Sequence, residues 1–485
     1  MTTLSDNIKH IVVLMLENRS FDNVFGYLYP DRPDFDGLNS PNAKGNPAPD
    51  GTTIAPWTNP SSANASTLPT PDPGESFADI TQQLFGTGAL TAAPQMQGFT
   101  ANYVRNGGNA QDIMHCFSSK ELPALTQLAQ SYAVSDRWFA SAPCQTWPNR
   151  FFVHTGTANG YENNDMAGFP FPMQTIFNEL APTFKWRIYF HDFAQAALLH
   201  RLWPYFTSFR PFLEFLDDVN SDAMPSYSFI EPRYYPGLAM PCDMHPPHNV
   251  AYGDALVAQV YNAVRNSPNW ASTMLIVTFD EHGGCYDHVP PPAAVPPESP
   301  RPGQVFNFDR YGVRVPAVII SPYTKAGTIL RASGSQPFDH TSIIRTVRTC
   351  FGLQTPLSAR EAVAPDLSAA LNDALNLDRA PATLNVSAPQ TSDSELQAAQ
   401  TAVPNGLQTL LHDIAAKLQP LTAPGASAAQ HLQTVVQPNS LMPPMSGNAV
   451  EAGQYAAQVM QTLSGARPPS NPPPNPLGDP YFGGS

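Results

Sequence analysis

A run of apolar residues that ends in a cluster of acids and histidines constrains the fold of this chain most. Residues 274–279 read MLIVTF and are followed by Asp280, Glu281, a histidine and two glycines. An almost continuous apolar run of this length is typical of a strand buried on both faces, as in parallel sheets covered by helices. Because ligands collect at the carboxyl ends of strands in open α/β sheets, the sequence predicts a functional site directly after this strand.

The adjacent carboxylates Asp280 and Glu281 suit a divalent cation, because positive charge relieves their mutual repulsion. The alternative is that one of them caps a helix while the other is solvated. The glycine pair and the three prolines at 290–292 argue against a helix here. This local composition favours the metal interpretation.

A second apolar run, residues 10–16, ends in Glu17 and Asn18. If this strand is the parallel neighbour of the first, Glu17 and Asn18 lie beside Asp280 and Glu281 at one edge of the sheet. Three carboxylates and an amide oxygen predict one divalent metal ion, and such ligands leave Ca, Mg, Mn and Zn open. The alternative for Glu17 is a helix cap.

Polar residues elsewhere supply candidates for the chemistry. Thr146 and Arg150 lie in the stretch SAPCQTWPNR, residues 141–150. Thr146 could attack a phosphate if a metal lowers the pKa of its hydroxyl group, and Arg150 could bind an anion through two hydrogen bonds. Alternatively, this stretch is only a turn into a helix. His245 and His340 follow similar polar stretches, and a histidine at a helix start can donate to a phosphate oxygen.

The remaining pattern predicts a mostly parallel α/β sheet flanked by helices. Apolar runs at 186–191, 227–230 and 315–322 alternate with helical segments such as 252–266 and 341–351, and residues 123–133 also carry helical spacing. The 53 prolines and 30 glycines indicate long loops, above all at 30–73. We expect a catalytic domain at 1–380, a helical extension at 381–466 and a Pro-rich tail at 467–485, the last two without a catalytic role.

Charge and composition restrict the partners. With 39 acidic against 25 basic residues, the net charge of −14 argues against nucleic acid and anionic membranes. The sequence shows neither a transmembrane segment nor a classical signal peptide, so we expect a cytoplasmic protein or one exported by another route. Five widely spaced cysteines predict reduced, structural thiols. The oligomeric state is not predicted.

Six segments in this order resemble the bacterial phosphoesterase family, which contains non-specific phospholipases C and acid phosphatases. They cover about the first three quarters of the chain and read IKHIVVLMLENRSFDNVFGYL, APCQTWPNR, DMHPPH, FDEHGGCYDHVPPP, YGVRVPAVIISPY and DHTSIIRT. The resemblance implies an alkaline-phosphatase-like α/β fold and metal-assisted phosphoryl transfer. It implies Glu17, Asn18, Asp280 and Glu281 as metal ligands, Thr146 as nucleophile, His245 at the phosphoryl group or leaving oxygen, and His191 and His340 as further site residues.

One position departs from the family pattern. Many members carry Asp-Pro-x-His where this chain has Asp72-Pro73-Gly74-Glu75. An ionised carboxylate cannot bind phosphate as a histidine can, so we expect Glu75 at the rim of the pocket, favouring monoanionic diesters or low pH.

The predicted function is hydrolysis of small-molecule or lipid phosphate esters, of phospholipase C or acid phosphatase type. The alternative is a non-catalytic binding protein on the same scaffold, since a fold does not fix a function. Placement of Thr146 beside the metal ligands would favour the enzyme, and a remote Thr146 would favour the alternative.

Overall fold

A computed structural model describes residues 3–40, 43–59, 61, 64–86, 93–301, 303–423 and 447–465. Within these residues the strands form an eight-stranded sheet and a separate two-stranded sheet. The strands are β1 (His10–Leu16), β2 (Asn46–Pro47), β3 (Thr53–Ile54), β4 (Ala133–Val134), β5 (Trp186–Phe190), β6 (Phe209–Pro211), β7 (Tyr227–Glu231), β8 (Thr273–Phe279), β9 (Ala317–Ile320) and β10 (Thr328–Ile329).

The large sheet has the order β10-β4-β9-β8-β1-β7-β5-β6. Its described strands run parallel except β9, which pairs antiparallel with both β4 and β8. In the central pair, Leu16 of β1 lies opposite Phe279 of β8. The residues that follow, Glu17 and Asp280, therefore leave the sheet side by side, as the sequence predicts for parallel neighbours.

Helices cover the sheet. They are α1 (Leu4–Asn7), α2 (Phe21–Phe25), α3 (Phe77–Phe85), α4 (Phe99–Arg105), α5 (Pro123–Ser131), α6 (Thr146–Thr155), α7 (Ile176–Leu180), α8 (Phe212–Val219), α9 (Val250–Arg265), α10 (Thr341–Phe351), α11 (Ala359–Val363), α12 (Asp393–Thr401), α13 (Gly406–Leu418) and α14 (Ala449–Ser464). Helix α9 packs on β1 and β8 and against α5 and α8, whereas α10 packs against α1, α6 and α11. All seven residues of β8 are buried, and burying an aliphatic side chain contributes about 1.5–3 kcal/mol. The predicted fold class, a mostly parallel sheet flanked by helices, is confirmed.

Two details differ from the expected elements. The helix expected over 123–133 ends at Ser131, because Tyr132 turns into the core and hydrogen-bonds the hydroxyl group of Tyr261 at 2.8 Å. Ala133 and Val134 then form the short strand β4. The apolar run at 315–322 forms β9, whose antiparallel direction hydrophobicity does not encode.

The C-terminal helices pack onto the domain that carries the sheet. Gln408 of α13 donates from Nε2 to the backbone oxygen of Tyr234 at 2.7 Å, and the hydroxyl group of Tyr235 donates to the backbone oxygen of Gln408 at 2.5 Å. The division into domains stays a prediction, and the predicted tail at 467–485 lies outside the described residues. No described helix is both long enough and apolar enough to cross a membrane. The five cysteines are free and buried.

Candidate active site

The ends of β1 and β8 are hydrogen-bonded to each other. Asp280 accepts at Oδ1 from the backbone N–H groups of Asn18, at 2.9 Å, and of Glu281, at 2.7 Å. Asn18 has a φ of +56°, in the left-handed region that few residues other than glycine adopt. A Cβ atom at Gly283 would lie 2.1 Å from the backbone oxygen of Asn18, so glycine is required for this close approach. The structure thus brings the four predicted metal ligands to one edge.

Three carboxylate oxygens at this edge are buried without a hydrogen-bond partner: Glu17 Oε2, Asp280 Oδ2 and Glu281 Oε1. Burial raises the pKa of Glu17 and of Glu281 well above the usual range, because desolvation disfavours the charged form. Buried carboxylate oxygens without partners are costly unless a cation or a proton satisfies them. The donor set therefore fits a divalent cation.

Arg150 on α6 is buried among carboxylates. Its guanidinium donates to Glu17 Oε1 at 2.5 Å and to Glu231 Oε2 at 2.7 Å, and its Nε lies 3.5 Å from Asp280 Oδ2. These contacts favour a role in positioning Glu17 and Asp280. Binding of a substrate anion by Arg150 stays a prediction.

Thr146 is the first residue of α6 and is buried. Its hydroxyl group donates to Asn18 Oδ1 at 3.3 Å. The first backbone N–H groups of a helix favour an anion, so a phosphate beside Thr146 would also lie at this helix terminus. The structure places the predicted nucleophile beside a predicted metal ligand.

Glu75 and His245 lie beside the same edge. Glu75 accepts hydrogen bonds from the side-chain amide of Asn18 and, at 3.4 Å, from Gln145 Nε2. His245 Nε2 lies 3.8 Å from Glu75 Oε2. Burial raises the pKa of Glu75 to about 7. Burial alone would lower the pKa of His245, but the carboxylates of Asp72 and Glu75 raise it to about 9.

The other two predicted histidines lie beside the edge. His340 donates from Nε2 to the backbone oxygen of Asp280 at 2.5 Å and accepts at Nδ1 from Trp138 at 3.4 Å. His191, after β5, donates to the backbone oxygen of Glu231 at 2.9 Å and stacks on a phenylalanine ring. Burial lowers the pKa of His340, and lowers that of His191 to about 3.

A model of the phosphoesterase family matches residues 8–354. The chain belongs to the phosphoesterase family. Non-specific phospholipase C3 of Arabidopsis thaliana is 37% identical over 404 residues, covering 78% of this chain and 76% of the relative. Non-specific phospholipase C4 of the same plant is 37% identical over 380 residues, covering 73% and 70%. Phospholipase C B of Mycobacterium tuberculosis is 26% identical over 420 residues, covering 76% and 78%.

These similarities confirm the predicted enzyme class, a phosphoric ester hydrolase. Among solved structures, the lipoteichoic acid synthase LtaP from Listeria monocytogenes has a TM-score of 0.36 at 11% identity, covering 76% of this chain and 77% of that one. A protein in the alkaline phosphatase superfamily from Vibrio parahaemolyticus has a TM-score of 0.33 at 13% identity, covering 74% and 70%. Likeness at this level supports no inference about the site.

Sequence reasoning missed one buried acid of the phosphoesterase site. Glu231 ends β7, accepts from Arg150, and accepts from the hydroxyl group of Tyr234 at 2.6 Å. The signal was available, because residues 227–230 were predicted as a strand and Glu231 follows that run just as Glu17 and Asp280 follow theirs.

The ligand atoms of Glu17, Asp280 and Glu281 do not all gather within 4.8 Å of one another. Among the described residues, two other groups of side chains do: Asp72, Glu75 and His245, and Asp22, Asp287 and His288. The first group adjoins the predicted metal site. Of its three members, the sequence analysis named His245 and Glu75 as site residues but did not name Asp72.

Proposed function

We propose that this phosphoesterase hydrolyses phosphate diesters as a phospholipase C does, with Thr146 as the nucleophile and one divalent metal ion at Glu17, Asn18, Asp280 and Glu281. The observation that carries the proposal is the contact of the Thr146 hydroxyl group with Asn18 Oδ1 at 3.3 Å. The choice of diesters is supported by the relatives named non-specific phospholipase C, which are 37% identical over most of both chains.

The reaction proceeds in two displacements. The oxygen of Thr146 attacks phosphorus, the bond from phosphorus to the alcohol oxygen breaks, and the proton lost by the hydroxyl group ends on the leaving alcohol. Water then attacks phosphorus, the bond to Thr146 breaks, and the threonine regains a proton as the phosphomonoester leaves. We assign the leaving oxygen to the side of His245, which lies beside Glu75.

The transition state spreads negative charge over the phosphoryl oxygens, so its stabilisation is mainly electrostatic. When bound, the metal ion would neutralise part of this charge and lower the pKa of the attacking hydroxyl group. The protein supplies the orientation: Arg150 fixes Glu17 and Asp280, and the backbone of Asn18 fixes the Asp280 carboxylate.

The test is an activity panel with a soluble monoester, a choline phosphodiester and a phospholipid. We expect the wild type to prefer the two diesters, and Thr146→Val, which keeps the shape and removes the oxygen, to lose roughly 10³-fold or more in kcat. Thr146→Ser is the matched control and should retain part of the activity.

Two results would contradict the proposal. Turnover of the monoester alone would indicate a phosphatase. A Thr146→Val enzyme that works near the wild-type rate, with an unchanged circular dichroism spectrum, would indicate direct attack by water.

A further inference from the structure

Three side chains from two loops present ligand atoms to one point beside the predicted metal site. Asp72 and Glu75 lie in the loop before α3, and His245 lies in the loop between β7 and α9. One ligand atom from each falls within 4.8 Å of the others. Two carboxylates and an imidazole are a ligand set that Zn and Mn commonly take in proteins.

Two buried polar atoms of this group lack a hydrogen-bond partner, although Asp72 Oδ1 lies 3.7 Å from His245 Nδ1. His245 is only 1% exposed, and neither its Nε2 nor Asp72 Oδ1 has a hydrogen-bond partner. The distance of 3.8 Å from His245 Nε2 to Glu75 Oε2 is too long for a hydrogen bond. A buried, unpartnered ring nitrogen beside carboxylates is therefore an independent indication of a cation site.

The other ring nitrogen of His245 supports this interpretation. Nδ1 lies 2.7 Å from the backbone oxygen of Pro246, which only accepts, so Nδ1 carries the proton. A bound cation would displace the second proton from Nε2, the atom that faces Glu75, and would bind to the lone pair left there. Metal-bound histidines are commonly held by such a hydrogen bond from the nitrogen that does not bind the metal.

The second group, Asp22, Asp287 and His288, differs from the first because an arginine side chain contacts its carboxylates. Arg314 donates to Asp22 Oδ1 at 2.9 Å and to Asp287 Oδ1 at 3.0 Å. A guanidinium already supplies the positive charge in that group. Near the first group, Arg19 donates instead to the backbone oxygens of Met244 and Leu68.

We propose that Asp72, Glu75 and His245 bind a second divalent cation. Glu75 also accepts a hydrogen bond from the side chain of Asn18, so this cation adjoins the one in the proposed function. The inference deepens that function, since His245 would act on the leaving oxygen through the bound ion.

Metal stoichiometry tests the proposal without any substrate. The metal-stripped full chain is dialysed against Mn²⁺, and bound manganese is measured by plasma mass spectrometry. We expect two ions per wild-type chain, one for Glu75→Gln, one for Asp280→Asn and none for the double variant. Asp34→Asn removes a carboxylate that is 59% exposed, and as the control it should keep two.

A wild-type chain that saturates at one ion would overturn the second site. If Asp280→Asn alone then abolishes binding, the proposed metal ligands stand and His245 is an ion-pair partner of Glu75. If only Glu75→Gln abolishes binding of that single ion, the assignment of Glu17, Asn18, Asp280 and Glu281 as metal ligands fails instead. If Glu75→Gln and Asp280→Asn each abolish binding, Glu75 belongs to the first metal site. Asp72→Asn should repeat the Glu75→Gln result, and circular dichroism confirms that each variant is folded.

Discussion

Thr146 and Asn18 carry the chemical argument at the scale of single residues. The 3.3 Å contact between their side chains joins a predicted nucleophile to a predicted metal ligand, and this contact could not be read from the sequence. The sequence places the two residues 128 positions apart, so only their shared family pattern linked them. The two side chains meet because Asn18 follows the end of β1 and Thr146 begins α6.

Glu75 provides a prediction at the same scale. The carboxylate of Glu75 contacts Asn18 and Gln145, and its negative charge reduces the net positive charge of the site, which disfavours a dianionic monoester more than a monoanionic diester. Replacing it by histidine should therefore raise monoester hydrolysis relative to diester hydrolysis by roughly tenfold, about 1.4 kcal/mol of differential binding. The measurement is the ratio of the two kcat/KM values at one pH above about 8, because the pKa of Glu75 is about 7. An unchanged ratio would place Glu75 away from the phosphate.

The elements explain why part of the site was predictable. Runs that are apolar over their whole length must be buried on both faces, so the positions of Glu17, Asp280 and the overlooked Glu231 follow from the ends of β1, β8 and β7. The orientation of Arg150 was not predictable, because its three carboxylate partners come from three different strand ends. The antiparallel direction of β9 was also not predictable from hydrophobicity.

The C-terminal extension was expected to have no catalytic role, but it touches a hydrogen-bonded chain that leads to the site. Gln408 holds the backbone of Tyr234, whose hydroxyl group donates to Glu231, the partner of Arg150. We expect Tyr234→Phe to weaken metal binding by about tenfold, since outer partners of metal sites typically contribute 10–100-fold. Tyr235→Phe removes a hydroxyl group that contacts Gln408 instead.

Metal titration of both variants separates positioning from stability. Tyr235→Phe should lower the thermal midpoint while leaving metal affinity unchanged. Equal metal affinities in Tyr234→Phe and the wild type would mean that the extension only stabilises the fold.

His288 ties the loop after β8 to α2 and gives a pH prediction. The charged groups that face it are Asp22, Asp36, Asp287 and Arg314. Burial opposes protonation, but Asp22 and Asp36 raise the pKa of His288 from 6.5 to about 9. A histidine whose pKa is raised on folding stabilises the fold fully below its unfolded pKa, and this contribution disappears as the pH rises through the folded pKa.

The stability difference between the wild type and His288→Gln should therefore be largest below the unfolded pKa, at about pH 5.5, and shrink by about 3 kcal/mol towards about pH 9.5. Urea unfolding at both pH values measures it. A difference that stays constant would show that His288 contributes packing and no charge.

At the scale of the whole molecule, the family match over residues 8–354 coincides with the sheet and the loops that carry its polar residues. Composition argued against polyanionic partners but did not indicate a substrate, because net charge describes the surface and the chemistry lies among buried groups. The ordered motifs predicted the enzyme class, and the relatives confirm it.

The stereochemical course at phosphorus tests the central claim most directly. A diester with a chiral thiophosphate group is hydrolysed in ¹⁸O-labelled water, and the configuration of the product is determined. Two in-line displacements, first by Thr146 and then by water, predict net retention. Net inversion would show a single displacement by water and would contradict the assignment of Thr146 as nucleophile.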